Sequence, residues 1–286
     1  MNGEMIRARL HSGERVYGTH VCSLANPNVA MVQAKFDYDF VFICNEHMPI
    51  DRTETSMLCH LYATRGVSPI VRISCPDAAE AATALDGGAQ GVVVPYVETV
   101  EEVKAIIGAV KYRPVKGKKL QGYLDGSLEP TEKMMSFFER FNRQNYVIIG
   151  IESYEAYENL DALIGVRGVD GVFVGPHDMT VSMDIPEEYD NPKFLEVVED
   201  IAVRCRKAGI GMGAHFSQVV TEDERYLSFM RKGMNWILYG ADLGVLMHEM
   251  PKRLRELRAE MGDNYVVAPT GGVDVSLCIG AAKQDG

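Results

Sequence analysis

Eight short apolar runs punctuate the chain, each followed by a stretch in which apolar residues recur at helical spacing. The runs are Val16–Val21 (VYGTHV), Asp39–Cys44 (DFVFIC), Pro69–Ile73 (PIVRI), Gly91–Val94 (GVVV), Val147–Ile151 (VIIGI), Gly171–Val174 (GVFV), Ile210–Ala214 (IGMGA) and Asn235–Tyr239 (NWILY). Short continuous runs rich in β-branched residues read as strands covered on both faces. Between them the pattern predicts helices over Met1–Leu10, Pro27–Lys35, Arg52–Arg65, Asp77–Leu85, Val100–Val110, Pro130–Asn142, Asn191–Lys207, Glu222–Lys232 and Asp242–Arg258. Pro251 predicts a kink or a break into two helices in the last of these. Tyr112–Gly122 (YRPVKGKKLQG) reads as a basic loop. Met134, Phe137, Phe138 and Phe141 fall on one helical stripe, and core packing explains such a stripe better than contact with a cofactor.

Strands that alternate with helices pair in parallel. Eight units without an intervening linker predict the α/β class and a single closed (β/α)8 TIM barrel, with extra N-terminal and C-terminal helices. The predicted barrel domain is 1–263. The remainder, 264–286, lacks periodicity and reads as a tail that is either mobile or packed on a neighbouring subunit. The first strand–helix turn, Val21-Cys22-Ser23-Leu24, has no G-x-G-x-x-G, which argues against a dinucleotide fold.

Composition narrows the partners. The 286 residues are 47% hydrophobic and 24% charged, as in ordinary globular proteins. With 29 basic and 40 acidic residues the net charge is −11, which argues against nucleic acid or an anionic membrane. An anionic substrate would need a local positive centre. The six cysteines are scattered without a C-x-x-C pair, which suits reduced thiols in a cytoplasm. No apolar run reaches membrane-spanning length and no signal-peptide plan opens the chain, so the expectation is a soluble cytoplasmic enzyme.

In a barrel of this kind the residues just past the strand ends face the active-site mouth. Those positions collect His20, Glu46, His47, Arg72, Glu152, His177, Asp178, His215 and Asp242. Glu152 and Asp178 end successive strands within Val147–Thr180. Read alone, that stretch supports two readings equally: acids that hold a hard divalent cation, or acids that cap helices. Arg72 can grip a carboxylate in bidentate fashion, or bridge acids around the rim. The turn Gly175-Pro176-His177-Asp178 opens a helix whose free N–H groups suit an anion. A cation, an arginine and a helix start together would bind a 2-oxo acid such as pyruvate, with His47 as the proton carrier because imidazoles titrate near neutrality. His20, His177 and His215 read more simply as structural histidines, and Cys44 and Cys75 as small buried packing residues. No lysine ends a strand, which argues against a Schiff-base mechanism.

At FVFICNEHMPID, IVRIS, LDGGAQGVVVPYVETVEE, IIGIESYEAYENLDAL and GVDGVFVGPHDMT the chain resembles the HpcH/HpaI aldolases, the divalent-metal-dependent class II pyruvate aldolases. The likeness runs from about Gly18 to about Arg258. It implies that Glu152 and Asp178 bind the metal, Mg²⁺ first, with Mn²⁺, Co²⁺ or Zn²⁺ as alternatives. It further implies that Arg72 holds the pyruvyl group, that His47 is the acid/base, and that Asp86 contributes at a subunit boundary. A homo-oligomer, trimeric or hexameric, and a lyase cleaving a 4-hydroxy-2-oxo acid to pyruvate and an aldehyde are the corresponding expectations. Other pyruvate-enolate chemistry (oxaloacetate decarboxylation or a citrate-forming condensation) and a non-catalytic keto-acid-binding barrel are the alternatives. The chain departs from the family pattern at Cys44-Asn45, where Asp-Gly is usual, at Gly150 in place of a glutamine, at His177 in place of a small residue, and at Gly117–Gly122. These departures leave the metal and pyruvate half in place and rebuild the half that faces the second substrate.

Overall fold

Apolar side chains on both faces of a strand demand cover on both, and a closed ring of strands wrapped in helices provides it. The computed structural model describes residues 1–22, 24–215 and 223–263. Its strands are β1 (Val16–Val21), β2 (Phe40–Cys44), β3 (Ser68–Arg72), β4 (Gly91–Val94), β5 (Tyr146–Ile151), β6 (Gly171–Val174), β7 (Gly211–Ala214) and β8 (Trp236–Ala241). They pair in parallel in chain order, and β8 closes on β1. The predicted barrel is therefore present, with strand ends within two residues of the sequence reading. The tail over 264–286 lies outside the described residues.

Alternation along the strands divides the apolar residues between two cores. Val41, Ile43, Val71, Val92, Val147, Ile149 and Val172 pack outward under the helices. Phe40, Phe42, Cys44, Ile70, Val93, Tyr146, Ile148, Phe173, Trp236 and Leu238 fill the interior. The first helix, α1 (Gly3–Ser12), starts at Asn2, whose side chain accepts the Met5 N–H, and stops at left-handed Gly13. Its Ile6 and Leu10 are fully buried in that interior cluster, so the extra N-terminal helix plugs the end of the barrel opposite the mouth.

After β1 to β4 come α2 (Pro27–Gln33), α3 (Arg52–Thr64), α4 (Ala78–Asp86) and α5 (Val100–Lys111). Capping boxes Asp51/Glu54 and Thr99/Glu102 begin α3 and α5. Two helices, α6 (Gly117–Asp125) and α7 (Glu132–Phe141), then precede β5. The expected basic loop is thus half helix: Leu120 and Leu124 lie one turn apart and pack on α5 at Gly108. The expected core stripe on α7 is corrected as well. Phe138 is buried beside Tyr112 and Tyr123, but Phe141 is 52% exposed, because α7 leans on this excursion and not on the barrel wall.

The rest of the ring is α8 (Tyr154–Glu158) and α9 (Leu160–Ile164) after β5, α10 (Pro176–Ser182) and α11 (Pro192–Ala208) after β6, α12 (Glu224–Lys232) after β7, and α13 (Asp242–Met261) after β8. The predicted break at Pro251 is absent. Pro251 removes one N–H from the ladder, and α13 continues through it as one element. Among the described residues no helix is long and apolar enough to cross a membrane.

Candidate active site

The same alternation that fills the interior carries polar groups to its upper end. Above Phe42 and Phe173, which stack at 5.9 Å, stand His20 from β1, Cys44 from β2, Arg72 from β3, Glu152 after β5, and His215 after β7. All but His215 are at most 4% exposed. Cys44 and Arg72 are register partners on adjacent strands, which explains their contact.

Arg72 is the centre of charge. Its guanidinium lies 5.4 Å from the Phe42 ring centroid and donates from Nη2 (2.9 Å) and Nε (3.3 Å) to Cys44 Sγ. Burial works against its charge, but Cys44, Glu46 and Glu152 around it more than compensate and raise its pKa. Glu46 Oε2 is 3.0 Å from Arg72 Nε, attracted but off the N–H direction, so this buried oxygen lacks a hydrogen bond among the described residues. The same oxygen also faces His47, whose Nε2 is 3.7 Å away and whose side chain is 59% exposed. The backbone N–H of His47 reaches back to Cys44 Sγ at 3.5 Å. Cys44, expected to be simple buried packing, is therefore the sulfur acceptor on which both Arg72 and the His47 turn rest, whereas Cys75, expected to be buried as well, is exposed just past β3.

Glu152 is the second centre. Its Oε2 accepts the Tyr96 N–H at 2.8 Å, while buried Oε1 has no hydrogen-bond partner among the described residues. Tyr96 reaches that oxygen from a left-handed backbone, φ 48°, a conformation uncommon for a bulky residue and concentrated at functional sites. Gly150 makes the arrangement possible: a side-chain carbon there would stand 2.9 Å from Val94 O and 3.1 Å from Tyr96 N. Burial above all pushes the Glu152 carboxyl up to about 7; Arg72 opposes, and Glu46 and Asp178 add to the rise. The neighbouring acid, Asp178, lies in the first turn of α10, whose start at Gly175-Pro176 has no side-chain cap.

Gly175 fixes where these acids meet. A carbon added to it would lie 2.8 Å from Glu152 Oε1 and 3.1 Å from Asp178 Oδ2, so both oxygens converge on one point that the glycine leaves open. An unpartnered buried carboxylate oxygen aimed at such a cradle fits a divalent cation. Among the described residues no group of three or more His, Cys, Asp or Glu gathers around one point. The protein would thus give two carboxylates and leave the other positions to substrate and water, as Mg²⁺ prefers.

Other candidates are placed differently. His177 is exposed at the rim, with Nδ1 3.5 Å from the Tyr189 hydroxyl. Asp242, buried, accepts from Cys22 Sγ (3.1 Å) and Leu24 N (3.0 Å), joining the end of β1 to α13. Asp86 ends α4, next to the start of β4 and so at the end of the barrel away from the mouth; its carboxylate pairs with Arg113. Within one chain it is not brought to Arg72 and Glu152. His20 and His215, each expected to be a structural histidine at the rim, touch each other: His20 Nδ1 lies 3.1 Å from His215 Nε2. The roles of Cys44 and Tyr96 and the contact between His20 and His215, both already placed at the rim, are what the sequence reading missed; only the inward register of Cys44 and His20 signalled them.

With this geometry in hand, known proteins supply the comparison. The HpcH/HpaI aldolase/citrate lyase family profile matches residues 21–249. A hydroxypyruvate/pyruvate aldolase of Pseudomonas aeruginosa is 30% identical over 251 residues, covering 88% of this chain and 90% of that protein. A 2-keto-3-deoxy-L-rhamnonate aldolase of Salmonella gallinarum is 26% identical over 245 residues, covering 86% and 90%. The crystal structure of citrate synthase SbnG superposes with a TM-score of 0.73 at 26% identity, covering 90% of this chain and 98% of that one.

Proposed function

The chain belongs to the HpcH/HpaI aldolase/citrate lyase family and is an enzyme, a carbon–carbon lyase; from that premise we propose that its barrel mouth cleaves a 4-hydroxy-2-oxo acid into a 2-oxo acid of the pyruvate class and an aldehyde. The observation that carries this reading is the convergence of Glu152 Oε1 and Asp178 Oδ2 on the open point beside Gly175, with a buried arginine across the same interior.

Glu152 and Asp178 would hold a divalent cation, Mg²⁺ first, which supplies Lewis acidity toward the 2-oxo group when bound. Arg72 binds the carboxylate and oxo oxygens of the substrate and stabilises negative charge there. Its place is kept by Cys44 and by stacking over Phe42. His47, at the exposed side of the site beside Glu46, takes the proton of the C4 hydroxyl on Nε2. The C3–C4 bond then breaks, its electron pair stays on C3 as an enolate, and the aldehyde leaves. Returning that proton to C3 completes the 2-oxo acid. In reverse the same groups condense the two products. The enzyme is proposed to work in the cytoplasm as a homo-oligomer assembled through the exposed face of α13.

The test is deuterium exchange at C3 of pyruvate in D₂O, followed by NMR with and without Mg²⁺. Exchange should require the cation and fall at least about a hundredfold in Glu152→Gln and in Asp178→Asn, as expected when charge stabilisation at the reacting centre is lost. Exchange that survives chelation and both substitutions would overturn the assignment.

A further inference from the structure

The barrel mouth is not the only hollow in which charge and apolar surface meet. On the outer flank, α5, α6 and α9 enclose a cleft of about 450 Å³, within the range of small-molecule sites. None of its lining residues belongs to the group around Arg72 and Glu152.

Local sequence explains the hollow. Helix α9 is only five residues long and stops at Gly165, from which the chain turns through Val166-Arg167-Gly168 toward β6. Gly168 has φ 113° and sits against α5: a side-chain carbon there would stand 3.0 Å from Ile107. That turn sets Arg167 beside α5. On the other side α6 docks Leu120 and Leu124 on Gly108 of α5, which raises the second wall.

Two kinds of chemistry line the cleft. Ile107, Leu124 and Val166 give it apolar surface, and Tyr112 and Tyr123 face it with ring centres 6.1 Å apart. Phe138 backs both rings, at 5.3 and 6.2 Å, and so fixes the aromatic wall. Lys104, on the same face of α5 as Ile107, and Arg167 supply charge. Neither cation has an ion pair or hydrogen bond among the described residues. The acid in the lining, Asp161, is committed to Arg204, at 2.9 and 3.0 Å. Lys119 adds positive charge at the wall, with Nζ 5.9 Å from the centre of the Tyr123 ring.

Stem packing by itself explains one half-buried lysine such as Lys104. It does not explain unpaired cations from two elements at one aromatic-walled cleft, in a chain whose net charge is −11. The complement of that arrangement is an anion on a flat apolar body. Arginine offers a fork that matches a carboxylate, and lysine a point charge beside it. Tyrosine faces and branched hydrocarbon accept an aromatic body, and the volume has room for two fused rings.

We propose that this cleft is a second small-molecule site, apart from the barrel mouth, which binds an aromatic carboxylate. Lys104 and Arg167 meet its charge, and its rings lie on Tyr112 and Tyr123. This site stands or falls separately from the aldolase reading.

Calorimetric titration of the full chain with indole-3-acetate, a carboxylate on two fused rings, tests it, with indole-3-acetamide as the uncharged counterpart. Indole-3-acetate should bind with a Kd below about 1 mM, and the amide at least about tenfold more weakly. Lys104→Gln and Arg167→Gln should each weaken indole-3-acetate roughly fivefold, and together at least about tenfold, the effect of part-exposed ion pairs. Ala162→Trp, on the exposed side of α9, should fill the cleft and abolish binding, with thermal melting showing that each variant is folded. Saturating pyruvate with Mg²⁺ should leave the affinity of wild type unchanged. Absence of binding at millimolar concentration overturns the proposal, as does equal affinity for the amide. An unchanged Kd in the folded double variant or in folded Ala162→Trp does the same. So does displacement by pyruvate with Mg²⁺, which would place indole-3-acetate in the barrel mouth. The amide and pyruvate arms use wild type alone, so they decide the matter even where a variant fails to fold.

Discussion

Gly175 and Gly150 hold the two places in the site where a side chain would do most harm, and they do so for different reasons. At Gly175 the cost of a methyl falls on the ligand: it would occupy the point shared by Glu152 Oε1 and Asp178 Oδ2. Gly175→Ala is therefore expected to fold but to bind Mn²⁺ at least about tenfold more weakly, as read by electron paramagnetic resonance, because the coordinating oxygens must separate. At Gly150 the cost falls on the protein, since the methyl would press on Val94 O and on the Tyr96 N–H that serves Glu152. Glu152 itself makes stability depend on pH. In the metal-free fold its carboxyl keeps a proton up to about 7, against 4.5 ordinarily. The folded state therefore binds more protons than the unfolded chain in that window, and stability present below about pH 4.5 is lost as pH rises to about 7. This group contributes on the order of 3 kcal/mol to the change. Urea midpoints of chelated protein between pH 5 and 8 should show a downward slope that Glu152→Gln flattens (roughly the ionising range). Equal slopes in the two proteins would refute the assignment.

Among the elements, the strands were legible and the excursion before β5 was not. A run such as Val147–Ile151 has apolar groups for both faces, and no other element buries them all, so its reading is forced. The segment α6 carries two glycines and two lysines, with Lys116 just before it, around its apolar residues, and only Leu120 and Leu124 docking on α5 makes it a helix. The site divides the same way. Glu152, Asp178 and Arg72 are recognisable because strand ends face the mouth, whereas Arg72 on Cys44, Tyr96 on Glu152 and His20 on His215 join residues far apart in sequence. The clamp at the opposite end of the barrel was likewise invisible. Asp170, just before β6, accepts from Val147 N (2.8 Å) and Lys111 Nζ (2.6 Å), with His11 Nε2 at 2.9 Å. Burial would raise its pKa, but Lys111, His11 and the Val147 N–H hold it below the ordinary value. Because α1, α5 and β5 all meet there, Asp170→Ala should cost about 3–5 kcal/mol in urea unfolding by stranding buried Lys111. Lys111→Met in the same chain should recover part of that loss, and purely additive effects would show that the pair is not coupled.

For the whole molecule, the open question is what covers α13. Leu243, Met247, Met250, Leu254, Leu257 and Met261 are spaced alternately four and three residues apart, the seam of helices that pair side by side. Of this long helix only Asp242 is buried, while Met250, Leu257 and Met261 are 63%, 60% and 69% exposed. Single exposed apolar residues are ordinary, but a continuous seam of them marks an interface. The net charge of −11 gives no electrostatic attraction between copies, so apolar burial along this seam must supply the association. Light scattering after size exclusion should therefore give a multiple of the chain mass of 31.7 kDa. Changing Leu254→Glu and Leu257→Glu together would place charges in the seam of every subunit and shift the protein to a smaller species. Since α13 contributes so little to the barrel core, the melting temperature of that species should stay within about 5 °C of wild type apart from the concentration-dependent part supplied by assembly. Wild type running as a monomer at micromolar concentration would show that another element covers the seam, and would remove the proposed subunit boundary to which the resemblance assigns Asp86.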